Sequence, residues 1–174
     1  MTAADLDEGQ RAHGAIGLAL LRMILGLIIL ATWFSNVTDD PNFYSADGLR
    51  GFFDWVAKPA EDGGNGASIG FVHSIIDNTV LKAPAAFGIA QTVMELLMGL
   101  GLLVGAFTRL FSLLAAVFFG SLFLTYFGGE EWIFTYVILA ASSFAVFLGY
   151  GGRTLGVDKV LAESRGPSPR NMLW

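Results

Sequence analysis

Four long apolar runs dominate the pattern of hydrophobic and polar positions along the chain. They cover residues 15–34, 85–107, 110–127 and 132–150. At a rise of 1.5 Å per residue, a helix of about 20 residues crosses the ~30 Å hydrocarbon core of a bilayer. Only helices satisfy their own backbone groups over such lengths in lipid. The pattern therefore predicts an all-α protein whose four transmembrane helices form a bundle.

The connections between the runs differ in length. Thr108 and Arg109 alone separate the second and third runs, which predicts an antiparallel helical hairpin. Residues 35–84 are too many for an unstructured loop in a compact domain. Within this insertion, apolar residues recur at helical spacing over 49–56 and 69–80. We expect two amphipathic helices, which lie at the membrane surface or fold as a lid over the bundle.

Basic residues are unevenly distributed among the polar segments. With four spans, both termini and the 108–109 turn fall on one side of the membrane. That side carries six basic residues: Arg11, Arg109, Arg153, Lys159, Arg165 and Arg170. The other side carries three: Arg50, Lys58 and Lys82. The bias places the tails, residues 1–14 and 151–174, in the cytoplasm and makes the insertion extracytoplasmic. We expect a single, multi-pass domain in the cell membrane.

Composition narrows the chemistry that this chain can perform. A net charge of −5 argues against a nucleic-acid partner. Cysteine is absent, which excludes disulfides and thiolate-bound clusters, and both histidines lie outside the apolar runs. We expect no haem, iron–sulfur cluster or metal in this chain. A redox cofactor would be organic, diffusible or carried by another subunit.

Two charges, Arg22 and Glu95, lie inside the apolar runs. An ionisable residue in a span is costly and marks a partner or a functional site. Each charge is followed four residues later by a glycine, Gly26 or Gly99, which lets helices approach closely on that face. Counted from the ends of the runs, Arg22 lies roughly 10 Å and Glu95 roughly 18 Å from the same membrane edge. The geometry predicts a pair on facing helices.

Several interpretations of these residues stay open. In the first, the Arg22 side chain extends to the membrane surface while Glu95 is neutral or hydrogen-bonded. In the second, the two residues form an ion pair that fixes the register of the helices. In the third, they bind a polar head group or move a proton. The aromatic residues Trp33, Tyr126 and Tyr136 lie at the outer ends of the spans. They belong to an interfacial belt, or they line a quinone-sized pocket in which a tyrosine donates a hydrogen bond.

Three motifs occur in a characteristic order. Arg-x-x-x-Gly begins at Arg22, Glu-Leu-Leu-x-Gly-x-Gly-Leu-Leu-x-Gly-x-Phe-Thr-Arg covers 95–109, and Gly-Tyr-Gly-Gly-Arg-Thr-Leu-Gly-Val-Asp covers 149–158. Over residues 15–34 and 85–160 the chain resembles the DoxX/DoxD family of small four-helix membrane proteins. The resemblance implies a subunit of a thiosulfate:quinone oxidoreductase, or of a related thiol-linked or sulfur-linked enzyme.

The resemblance also implies roles for residues outside the spans. The motif includes Arg109, which would meet anionic lipid or a partner subunit, or would simply anchor the turn in the cytoplasm. Arg153 and Asp158 are expected to cap the end of the fourth span. We expect the chain to contact membrane lipid and to work with a partner subunit or as a homo-oligomer.

The leading hypothesis is a membrane subunit of a respiratory-type oxidoreductase that interacts with quinone or quinol within the bundle. Glu95 would exchange the proton, Arg22 would be its electrostatic partner and head-group donor, and electrons would come from another protein. The alternative is a non-catalytic membrane anchor or assembly protein, in which the charged pair only fixes helix packing. A small transporter is a third hypothesis, which the lack of an evident inverted repeat disfavours.

Overall fold

In the computed structural model, residues 3–67 and 69–165 are described, with side chains for 12–67 and 69–164. The described chain is helical, without strands. Its α-helices are α1 (Ala3–Thr38), α2 (Ala46–Ala57), α3 (Gly70–Asn78), α4 (Pro84–Val104), α5 (Thr108–Thr125), α6 (Phe134–Leu148) and α7 (Val157–Arg165). The ends of the predicted tails, residues 1–2 and 166–174, lie outside the described residues.

Three of the predicted spans are helices long and apolar enough to cross a membrane, within the part of the chain that the structure describes. They are Ala12–Thr38 of α1, Pro84–Val104 and Thr108–Thr125. The fourth run forms a helix of only 15 residues, Phe134–Leu148. At 1.5 Å per residue this is about 22 Å, shorter than the ~30 Å hydrocarbon core. The helix expected over 132–150 is shorter at both ends because Trp132 belongs to a turn and Tyr150 adopts a left-handed φ of 52°.

The insertion contains both predicted amphipathic helices, α2 and α3. The hydroxyl of Ser45 caps α2 by accepting the Gly48 N–H at 2.9 Å. Leu49 and Val56 are buried, as their helical spacing predicts. In α3 the buried apolar side chain is Val72.

By contact density the chain divides into two compact units. The first contains the chain up to Ile29, Leu97–Ala116 and the chain from Ala141 onwards. Leu25 and Leu102 are buried in it. A Cβ on Gly26 would lie 2.7 Å from Leu103 N and 2.9 Å from Gly99 O, so α1 and α4 pack closely at this glycine. This is the small-residue contact that the sequence predicts.

The second unit contains Leu30–Leu96 and Val117–Ala140. Val56, Ala67 and Tyr126 form its buried cluster, against which Phe52, Leu122, Ile133 and Tyr136 pack. Residues of the insertion thus pack on the ends of α5 and α6.

Candidate functional site

Arg22 lies on α1 in the first unit and its side chain is fully buried. Its Nη2 donates a hydrogen bond of 2.9 Å to the carbonyl oxygen of Leu155, in the segment after α6. Its Nη1 lies against Gly105 and Gly156, where a Cβ on either glycine would overlap it. Gly105 also has a φ of 73°, which side chains rarely adopt. The two glycines therefore form the slot that holds the guanidinium group.

Asp158, at the start of α7, is also fully buried. Its carboxylate accepts the backbone N–H groups of Phe107 and Thr108, each at 2.8 Å, and its own N–H donates to Gly105 O at 2.8 Å. These N–H groups belong to the start of α5, where they lack helical partners and where the helix dipole favours a negative charge. Asp158 thus caps α5 and ties α7 to the α4–α5 turn.

The expectation that Asp158 caps the end of the fourth span is therefore wrong. The chain turns back after α6, beginning at the left-handed Tyr150, and this brings the carboxylate to the α4–α5 turn. Arg153, its expected companion, is exposed, and its guanidinium carbon lies 4.8 Å from the centroid of the Tyr150 ring.

The motif residues of the sequence meet around these two buried charges. We call Arg22, Gly105, Leu155, Gly156 and Asp158 the Arg22 cluster. The nearby charge of opposite sign is that of Asp158, which acts on the guanidinium through space. Among the described residues, Nε and Nη1 of Arg22 are buried without a hydrogen-bond partner. The Arg22 cluster joins α1, the α4–α5 turn and α7. Its role is structural, and we also call it the lock.

Glu95 lies on α4 in the second unit, and only 1% of it is exposed. Its Oε1 accepts Gln91 Nε2 at 3.1 Å, and its Oε2 accepts Asn36 Nδ2 at 2.9 Å. Gln91 is one helical turn earlier on α4, and Asn36 is in the last turns of α1. We call these three residues the Glu95 cluster. Two amide donors fix the orientation of a carboxyl group that can hold or release a proton.

Arg22 and Glu95 belong to different units, and the hydrogen bonds described for each lie within its own unit. Arg22 donates to Leu155 O, whereas both oxygens of Glu95 accept from amides. The ion pair between the two side chains stays a prediction.

The predicted quinone-lining tyrosines, Tyr126 and Tyr136, lie side by side in the second unit. Their rings stack at 5.3 Å with an angle of 6° between planes. The edges of Phe52 and Trp55, from the insertion, contact Tyr126 at 6.0 and 6.3 Å. Trp33, half-buried on α1, is not among the described ring contacts of the tyrosine pair.

Asn65, in the insertion, is a structural residue that the sequence reasoning missed. It is 2% exposed, and its Oδ1 accepts the backbone N–H groups of Glu130 and Glu131 at 2.9 and 3.3 Å. Its own N–H donates to Trp55 O at 2.9 Å. The side chain therefore fastens the insertion to the α5–α6 turn. The glycines around it signal a turn, but they do not identify its target.

Comparison with known proteins identifies a family. A family model described as TQO small subunit DoxD matches residues 65–172, which is more than half of the chain. No curated protein and no solved structure matches the chain. The match includes residues 65–84 of the insertion, which the sequence resemblance left largely outside, and it does not extend to the first run. The match also includes the motif from Glu95 to Arg109 and the closing motif up to Asp158. The family match and the long apolar helices together show that the chain is a membrane protein that belongs to the DoxD family.

Proposed function

We propose that the protein is the membrane subunit of an oxidoreductase that passes electrons from a sulfur compound such as thiosulfate to quinone. In this proposal Glu95 supplies a proton to the reduced quinone. Membership of the DoxD family, whose model is described as a TQO small subunit, supports the subunit role. A partner subunit supplies the electrons, since the chain has no cysteine.

The burial and hydrogen bonding of Glu95 carry the proposal. The carboxyl group is 1% exposed within an apolar helix that is long enough to span a membrane. A titratable group is costly there, and its retention favours a functional role. Reduction of a quinone to a quinol takes up protons as well as electrons, and an acid held in a fixed orientation supplies them efficiently. Gln91 and Asn36 fix that orientation.

Arg22 has no part in the proposed proton transfer. Its guanidinium is enclosed by Gly105 and Gly156 and donates to a backbone carbonyl. We assign it to the lock that holds the first unit together. We also leave Trp33, Tyr126 and Tyr136 out of the proton step, because the contacts of the tyrosine pair are those of a packed aromatic core.

The experiment is a comparison of Glu95→Gln with Glu95→Asp in the complex purified with its partner subunits. Glutamine keeps the shape but cannot release a proton, whereas aspartate keeps the acid. We expect quinone reduction driven by thiosulfate to fall by about 10²-fold or more in Glu95→Gln, the usual contribution of a general acid, and to be partly retained in Glu95→Asp. Wild-type turnover by a folded Glu95→Gln complex would overturn the proposal.

One observation favours the alternative of a non-catalytic anchor. Both oxygens of Glu95 are already occupied, and the Asn36 that binds one of them also accepts the Phe43 N–H through its backbone oxygen at 2.8 Å. The glutamate would then only tie the start of the insertion to α4. In that case Glu95→Gln would lower thermal stability or recovery of the partner subunit, while turnover per assembled complex would stay unchanged.

A further inference from the structure

The segment that follows α6 presents exposed apolar side chains outside the long apolar helices. Leu155 is 65% exposed and Val160 is 64% exposed, with Val157 and Tyr150 also exposed. Arg153 is exposed among them. We call Tyr150, Arg153, Leu155, Val157 and Val160 the C-terminal face.

The Arg22 cluster fixes the direction in which this face points. Asp158 is held by two N–H groups of the α4–α5 turn, so its side of α7 faces the first unit. Successive side chains of a helix are about 100° apart. Val157 and Val160 are therefore turned away from the side of α7 that carries Asp158. They are exposed because the hydrogen bonds of Asp158 fix the orientation of the helix.

The charged residue of the C-terminal face is basic. The guanidinium carbons of Arg109 and Arg153 lie 4.4 and 4.8 Å from the centroid of the same ring, that of Tyr150. Stacking on this ring holds the Arg153 guanidinium without neutralising its charge. The Asp158 carboxylate is buried, and Glu163, one helical turn after Val160, forms an exposed ion pair of 3.9 Å with Lys159.

We propose that the C-terminal face docks on the anionic phospholipids of the membrane leaflet beside it. Leu155, Val157 and Val160 enter the boundary between head groups and acyl chains, and Arg153 binds the phosphate groups. Apolar residues combined with basic ones are the composition of a segment that lies on an anionic membrane surface. The face is also continuous with the exposed apolar end of α6, where Leu148 is 58% exposed.

Single-cysteine labelling tests the proposal, because the chain contains no cysteine. The full chain carrying Val157→Cys or, as a matched control, Lys159→Cys is spin-labelled. Each is reconstituted into vesicles of phosphatidylcholine alone or mixed with phosphatidylglycerol. Lys159 is exposed and lies about 160° from Val157 around α7. We expect the label at 157 to have the oxygen accessibility of the lipid phase in the mixed vesicles and the label at 159 to stay in water.

The charge contribution is measured in the same vesicles with Arg153→Gln. One basic residue at an anionic surface contributes about 1 kcal/mol, which is about fivefold in an equilibrium. At a fixed phosphatidylglycerol content, the ratio of lipid-inserted to water-exposed label at 157 should fall by about that factor. A variant with the same ratio as the parent would overturn the role of Arg153.

The remaining outcomes also decide the proposal. Labels at 157 and 159 that are equally accessible to water in both vesicles would show that the face does not dock on lipid. A label at 157 that is shielded in detergent, and released when residues 166–174 are removed, would show that the chain's own end covers it. Either result would overturn docking on the membrane.

Discussion

Replacing Asp158 by asparagine is the sharpest test of the Arg22 cluster. The change removes one charge and almost no volume. The carboxylate accepts the N–H groups of Phe107 and Thr108 at 2.8 Å each, and it is fully buried. Asparagine keeps one accepting oxygen and places an amide NH₂ group opposite the second N–H. It also leaves the buried guanidinium of Arg22 without its opposing charge.

The expected loss of stability follows from these contacts. Losing one hydrogen bond to a charged acceptor costs about 1.5–3 kcal/mol. The opposite charge of Asp158 acts on Arg22 through space, without a hydrogen bond between them, and its loss adds to this cost in the same direction. We therefore expect Asp158→Asn to lower the free energy of unfolding by about 2 kcal/mol or more.

The measurement is equilibrium unfolding of the full chain in mixed micelles. Glu163→Gln is the matched control, since its side chain is 67% exposed and its ion pair with Lys159 is worth ~1 kcal/mol or less. Adding Arg22→Met to Asp158→Asn should recover part of the loss, because the unpaired cation is removed. If Asp158→Asn costs no more than the control, the reasoning about the lock is wrong.

Two further predictions concern close packing and the insertion. Gly105→Ala should destabilise the protein by about 2 kcal/mol or more in thermal unfolding, because its Cβ would overlap Arg22 and its φ is positive. The control is Gly120→Ala, whose Cβ would have nothing within 4 Å, and this variant should be neutral or up to ~1 kcal/mol more stable. A similar loss in both variants would contradict the slot. Asn65→Ala should cost about 0.5–1.5 kcal/mol and speed proteolysis of the insertion, because the N–H of Glu131 loses its side-chain acceptor and that of Glu130 keeps only the backbone oxygen of residue 65. Asn78→Ala, whose exposed amide bonds only within its own helix, should cleave at the parent rate, and equal rates for both variants would refute the fastening role.

Hydrophobic periodicity predicted the helices well because a span must be apolar over most of its length. The same signal overestimated the fourth helix, since Trp132 and Tyr150 extend the apolar run without extending the helix. It located the amphipathic helices of the insertion through Leu49 and Val56, which are buried as expected. It gave no information on Asn65, because a turn residue carries no mark of the distant N–H groups that it binds.

The residues of the candidate site were easier to find than their partners. Arg22 and Glu95 stand out because a charge in an apolar run is rare. Gln91 precedes Glu95 by one helical turn, so that hydrogen bond was open to prediction from spacing. The acceptor of Arg22 is a backbone oxygen of Leu155, which any residue type would provide. No pattern of side chains could have revealed it.

The distance along the chain between Arg22 and its acceptor has a consequence for biogenesis. The carbonyl of Leu155 follows the arginine by 133 residues. Because synthesis runs from the amino terminus, the guanidinium is made long before this carbonyl and the Asp158 carboxylate exist. The nascent protein bears the cost of a charge in its first span without these two groups until α7 is made. A translation product that stops before Leu155 lacks both of the groups that accompany the guanidinium in the folded chain.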